Sequence, residues 1–258
     1  MGIHGFQNIE AFKAYLMQEY NYPFMGWDFA HIRDRFTTSP LPWSYPTKVL
    51  HVMHTHKITR MLDMGTGGGE YLRDNFQPFP PNTYATEAYA PNVPIARQNL
   101  ELLGVNVIEI CEGDSLPFSD GEFELVINQH EYYDPNEVAR ILQSGGRFIT
   151  KQVDGTNDDD VKNLLGVQSK DPPWNLQVAS QGLSNCDFHI QDGLSFNMKT
   201  RLFDVGALVY YLKIAPWVIP HFHPESYLEE LAKIHNRISK EGYMDLLTPR
   251  FFISAIKP

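Results

Sequence analysis

Apolar positions along the chain follow two periods. Ile9, Phe12, Tyr15, Leu16 and Tyr20 recur three and four residues apart, which predicts an amphipathic helix ahead of Asn21 and Pro23. Residues 22–46 lose that order: prolines and aromatics crowd together too irregularly for a strand or a long helix. Pro46 suits a first helical turn, and Val49, Leu50, Val52 and Met53 carry a second helix to about His56. From Ile58 onward, short apolar runs alternate with helical stretches. Strands are expected at about 58–64, 83–87, 105–110, 123–127 and 145–150, with helices at 70–76, 93–103 and 135–142 between them. A helix at 175–183, a sixth strand at 188–198, helical runs at 203–213 and 226–239, and a strand at 251–256 complete the reading. Strands alternating with helices predict an α/β chain built on a mostly parallel sheet with helices on both faces.

Length and charge narrow the partners. With 258 residues the default is a single domain, 1–258: an N-terminal helical and aromatic collar at 1–57, a core at 58–190, the sixth strand with a lid insertion at 191–242, and the last strand at 243–258. A formal net charge of −10 opposes a large nucleic-acid footprint, which needs clustered Lys and Arg. Two distant cysteines, Cys111 and Cys186, support neither a disulfide framework nor a zinc ribbon, and the start of the chain has no signal pattern. A soluble, cytoplasmic protein is the expectation. His51, His54 and His56 lack a local Asp, Glu or Cys to join them, so no metal site is expected. The run Asp158-Asp159-Asp160 reads as a solvated turn or a helix start.

The chemistry-bearing stretch is Arg60 to Tyr71, where four glycines (Gly65, Gly67, Gly68, Gly69) stand between a short strand and a helix. Glycine there permits unusual backbone angles and close ligand approach, and the N–H groups of the new helix favour an anionic or strongly hydrogen-bonding group. A dinucleotide fingerprint would place glycine at position 70, where Glu70 stands, and Asp63 precedes the first glycine by two residues. Glu87 lies 22 residues beyond Gly65, at the end of the next strand, where an acid accepts the ribose hydroxyls of a bound nucleoside.

The D-x-G-x-G-x-G pattern of Asp63 to Gly69 resembles the first motif of class I S-adenosylmethionine-dependent methyltransferases. Gly113-Asp114-Ser115-Leu116-Pro117-Phe118 with Asp120 and Phe123-Glu124-Leu125-Val126 resembles the G-D-x-x-L-P-F-x-D-x-x-F-D-L-V pattern of the type 11 group. Glu137 to Gly146 resembles its E-x-x-R-V-L-x-P-G-G, with Ser144 at the usual proline. The resemblance implies a Rossmann-like three-layer sandwich with seven strands in the order 3-2-1-4-5-7-6, the last antiparallel. It also implies S-adenosyl-L-methionine as cofactor, met by Asp63, Gly65, Thr66, Gly67, Gly69, Glu87, Ala88, Gly113, Asp114, Ser115, Leu116 and Asn128. Asp114 would face the adenine amino group, which an ionised carboxylate suits as a pure acceptor.

Methyl transfer from an activated donor needs mainly alignment. His130 or Glu131, in the loop leaving the fourth strand, is the candidate general base for an acceptor that must lose a proton. Trp27, Trp43, Tyr45, Tyr132 and Trp217 are expected around the substrate as a lid. No Pro-Pro-Tyr or Pro-Cys follows Asn128, which with the acidic balance favours a small-molecule acceptor over nucleic acid. A nicotinamide-dependent oxidoreductase and a non-catalytic cofactor-binding protein are the rival readings.

Overall fold

The computed structural model describes residues 2–24, 29–111, 113–168 and 174–258. In chain order the elements are α1 (Ile9–Asn21), β1 (Phe36–Thr38), α2 (Tyr45–Thr55), β2 (Arg60–Met64), α3 (Glu70–Asn75), β3 (Asn82–Glu87), α4 (Val93–Leu100) and β4 (Val105–Glu109). They continue with β5 (Phe123–Gln129), α5 (Pro135–Ile141), β6 (Leu142–Val153), α6 (Asp159–Leu164), α7 (Leu176–Asn185), β7 (His189–Leu202), α8 (Val205–Ile214), α9 (Leu228–Glu241) and β8 (Met244–Ile256). Local chemistry sets the boundaries: Asn8, Ser44 and Asn175 accept from backbone N–H groups in the first turns of α1, α2 and α7. Among the described residues no helix is long and apolar enough to cross a membrane.

Among the described residues eight strands form one sheet in the order β1-β7-β8-β6-β5-β2-β3-β4. Without β1 this is the expected seven-strand order read from its other end, and β8 lies antiparallel to β6 as expected. The stretch 22–46 nevertheless contains a strand, which corrects the sequence reading. Phe36, Thr37 and Thr38 pair antiparallel with Leu202, Arg201 and Thr200, and so short a strand owes its existence to its neighbour's ladder rather than to any pattern of its own. β8 begins at Met244, ahead of the apolar run that opens at Phe251, because Pro249 interrupts that pattern without ending the strand.

The chain forms two compact units. One comprises residues 1–40, 155–173 and 197–249; the other comprises 41–154, 174–196 and 250–258. In the second unit, alternation along β2 sends Met61 to one face of the sheet, with Val49 of α2, Leu72 of α3, Ala96 of α4, Ile127, Ile149 and Phe252. Leu62 and Met64 go to the other face, with Val126, Phe148, Ile253, Val138 of α5 and Leu183 of α7. Both faces are therefore covered, as parallel strands require, and each fully buried large apolar side chain contributes about 1.5–3 kcal/mol.

The first unit is held by α8, buried along most of its length, packed with Phe12 and Leu16 of α1 and Leu231 and Ile234 of α9. The Asp204 side chain caps α8 by accepting from the Ala207 N–H at 2.9 Å and also takes two bonds from the Arg35 guanidinium, at 2.8 and 2.5 Å. Arg35 donates to Glu19 as well, at 2.9 Å. Within the acidic run, Asp158 is buried and accepts from the Tyr211 hydroxyl at 2.9 Å, so only the residues after it behave as a helix start.

Candidate active site

Beyond Met64 the chain turns through Gly65 (φ 71°) and Gly67 (φ 62°), left-handed angles that favour glycine. The turn is tied to the end of β3: the Thr66 N–H donates to the Thr86 carbonyl at 2.9 Å, and the Gly67 N–H donates to Glu87 Oε2 at 2.6 Å. The Tyr89 N–H donates to Glu87 Oε1 at 2.8 Å. A Cβ on Gly65 would lie 2.3 Å from Glu131 Cγ, whereas one on Gly67 would meet nothing within 4 Å. Gly65 is thus required by the side chain packed on it, and Gly67 has open space where a side chain would stand. Gly69 serves packing instead, since a Cβ there would come within 2.7 Å of Leu100 Cδ1 in α4.

Asp63 and Glu87 are both buried. Burial, and secondarily the charge of Glu87, pushes the Asp63 carboxyl up to about 7. A cation placed beside Asp63 would favour its ionised form.

A cleft of about 240 Å³ opens outside the carboxyl ends of β2 to β5, lined by Gly65, Ala88, Gly113, Asp114, Ser115, Leu116, Glu131 and Tyr132 among the residues expected from sequence. Met64, Thr86, Ile110, Cys111, Tyr133, Asp134 and Glu137 also line it; they were not singled out from sequence, and their signal was their place at strand ends and in the loops that follow. Glu137 and Arg140 account for the E-x-x-R pattern. Glu137 Oε2 accepts from the Leu116 N–H at 2.9 Å, and Arg140 donates to the Leu116 and Phe118 carbonyls at 3.0 and 2.7 Å. The pair clamps the loop that forms one wall of the cleft, with Arg140 Nε bonded to Glu137 Oε1 at 2.9 Å.

The loop leaving β5 divides its expected roles. Asn128 is fully buried, and its Oδ1 accepts from Thr150 Oγ1 at 2.9 Å and Gln152 Nε2 at 2.5 Å; its carbonyl accepts from the Tyr45 hydroxyl at 3.1 Å. Its polar atoms hold strands together, and it does not line the cleft. Glu131 and the exposed Tyr132 do line it. His130 does not; it sits at φ 62° with its N–H bonded to the Lys151 carbonyl at 2.9 Å. Although an edge of His130 is exposed, dense surrounding protein, followed by the charges of Lys151 and Arg250, pushes its imidazole well below the usual histidine range.

The expected lid residues are dispersed in role. Trp43 packs on Phe252 at 5.7 Å between ring centroids, and its indole Nε1 is buried without a hydrogen-bond partner among the described residues. Tyr45 is buried in the same apolar cluster as Phe252. Trp217 is exposed and belongs to the other unit, and Trp27 lies outside the described residues.

This strand order, with a glycine turn and a cleft outside the carboxyl ends of the strands, defines an α/β Rossmann-like methyltransferase fold. Residues 62–150 match the family described as "Methyltransferase domain", which is about a third of the chain. A structure from Bacillus halodurans described as a methyltransferase superposes with a TM-score of 0.53 at 18% identity, covering 77% of this chain and 92% of the other. The YcgJ protein of Bacillus subtilis gives 0.53 at 16% identity, covering 83% and 97%. A functionally unknown protein of Deinococcus radiodurans gives 0.55 at 12% identity, covering 96% and 100%. At these identities the likeness is one of fold. A comparison with curated protein sequences finds no match.

Proposed function

We propose that this chain transfers a methyl group from S-adenosyl-L-methionine to a small-molecule acceptor. The observation that carries the reading is that one cleft joins the glycine turn, the end of β3, the Asp114 loop and the Glu131–Tyr132 loop. The residues fit the cofactor: open space stands over Gly67, and Asp63, buried and easily ionised by a neighbouring cation, suits the ammonium of the methionine part. Glu87 would receive the ribose hydroxyls through the lone pairs left by its two N–H bonds. Asp114, Ser115 and Leu116 would hold the adenine. When bound, the cofactor supplies an already activated methyl group.

The chain's own residues then orient the acceptor and exclude water. A general base works best with a pKa near the working pH, and His130 is held far below it. Glu131, which borders the cleft, is the better-placed group to take a proton. The net charge of −10 supports a small acceptor over nucleic acid. Calorimetry tests the cofactor: S-adenosylhomocysteine should bind and NAD should not, and a preference for NAD would overturn the reading in favour of an oxidoreductase. Release of S-adenosylhomocysteine on incubation with a panel of small acceptors tests the transfer itself.

A further inference from the structure

At the carboxyl ends of β5 and β6, Gln129 and Lys151 are direct cross-strand partners, so their side chains leave the same face of the sheet. On that face Lys151 Nζ lies 5.9 Å from the ring centroid of Tyr45 and 5.7 Å from that of Tyr71 in α3. Among the described residues Lys151 has no carboxylate partner, and Gln129 Oε1 is buried with no donor. This contrasts with the neighbouring lysine on the same face, Lys48, which is paired with Asp192 at 2.5 Å. In a chain with 31 acidic and 21 basic residues, an uncompensated, partly buried ammonium is a specific feature. Burial, and then the charge of Arg250, pushes Lys151 down to about 8, a cost that a bound anion would relieve.

The location adjoins Asp63, proposed above to meet the ammonium of the cofactor. Asp63 electrostatically perturbs both Tyr45 and Tyr71, the two rings that flank Lys151. The next residue, Gln152, donates to the carbonyl of the cleft residue Glu131 at 3.0 Å. We propose, resting on the methyltransferase reading, that Lys151 recognises a carboxylate of the methyl acceptor, with Gln129 accepting from an O–H or N–H of the same molecule. The acceptor is then a small organic acid, its body lying against the exposed ring of Tyr71. A single ammonium suits a singly charged carboxylate, whereas a phosphate is matched by a fork of donors or several cations.

The test uses isosteric probes that differ in charge. Lactate and lactamide, para-hydroxybenzoate and para-hydroxybenzamide, and inorganic phosphate are titrated into the full chain with and without saturating S-adenosylhomocysteine. The expected result is that at least one acid binds tenfold or more tightly than its amide, that Lys151→Met erases the preference, and that Lys151→Arg keeps it. Gln129→Leu should weaken acid and amide alike. S-adenosylhomocysteine should bind Lys151→Met as it binds the unaltered chain, which also shows that the variant is folded. No preference for either acid, or a preference that survives in Lys151→Met, overturns the proposal. Stronger binding of inorganic phosphate than of both acids overturns the carboxylate. Failure of S-adenosylhomocysteine to bind the unaltered chain overturns the methyltransferase reading instead, and the cofactor-free titrations still decide the anion site.

Discussion

Ion pairs occur in both units, but the two differ in where an ionisable group is left without one. In the first, Arg35 is bound by Asp204 and Glu19, Arg201 by Asp245 at 2.7 Å, and Lys13 by Glu225 at 2.6 Å. Arg35 even closes the space over Gly206, where a Cβ would lie 2.5 Å from its Nη2. In the second, Asp63 and Lys151 sit toward the strand ends, each displaced toward its neutral form by burial and neither with an opposite charge beside it among the described residues. A charge compensated within the fold holds the fold; one left uncompensated is the place to look for a ligand. The difference marks which side chains to test by unfolding and which by binding.

The largest effect should come from breaking a compensated site. Arg35→Ala leaves Glu19 and Asp204 without their cation and should lower the unfolding free energy by about 3–5 kcal/mol, measured by urea denaturation. A loss under about 1 kcal/mol would reduce the network to a surface ion pair. At the uncompensated site, Asp63→Asn should weaken S-adenosylhomocysteine by about 1.5–3 kcal/mol in calorimetry, the range for a hydrogen bond to a charged group. The same variant should gain stability. The folded carboxyl titrates near 7, above its unfolded value, so the folded chain holds the extra proton between the two values. Stability associated with Asp63 is therefore present at low pH and lost as pH rises through about 7, and removing the carboxyl should add about 1–2 kcal/mol on the alkaline side. Equal stability of the two chains at alkaline pH would count against an uncompensated Asp63.

A finer test follows from that titration. If Asp63 must ionise to receive the ammonium, affinity for S-adenosylhomocysteine should fall as pH drops below about 7, by up to tenfold per unit, and the slope should vanish in Asp63→Asn. The smallest effect is expected at His130. Its left-handed backbone costs about 1 kcal/mol, so His130→Gly should stabilise the chain by roughly that amount. His130→Gln should slow turnover by less than the ~10²- to 10⁴-fold expected for loss of a general base; a loss in that range would return His130 to the mechanism.

The parallel core was legible because its signals are local. Apolar runs, Pro46 and the Gly104 turn delimit elements whose order on the sheet matches expectation, and the Gly-rich turn with Glu87 and the Asp114 loop pointed to residues that border the same cleft or the turn beside it. Three kinds of feature were not legible. The strand β1 exists only through its pairing with Thr200, Arg201 and Leu202. Asn128 looked like a cleft residue by its place after β5, yet Thr150 and Gln152, more than twenty positions away, claim its side chain. Lys151 and Gln129 are ordinary strand residues until the β5–β6 register sets them side by side.

What the sequence determined by itself is the elements of the parallel core, their order and the chemistry of the glycine turn, because helix periodicity, capping and left-handed glycines act over a few neighbouring residues. Only the tertiary structure decided which polar groups were compensated. Hydrogen bonds and ion pairs between strands and helices far apart in the chain depend on register and packing, and these settled that Asn128 is held from within, that Arg35 is saturated by Glu19 and Asp204, and that Asp63 and Lys151 are not.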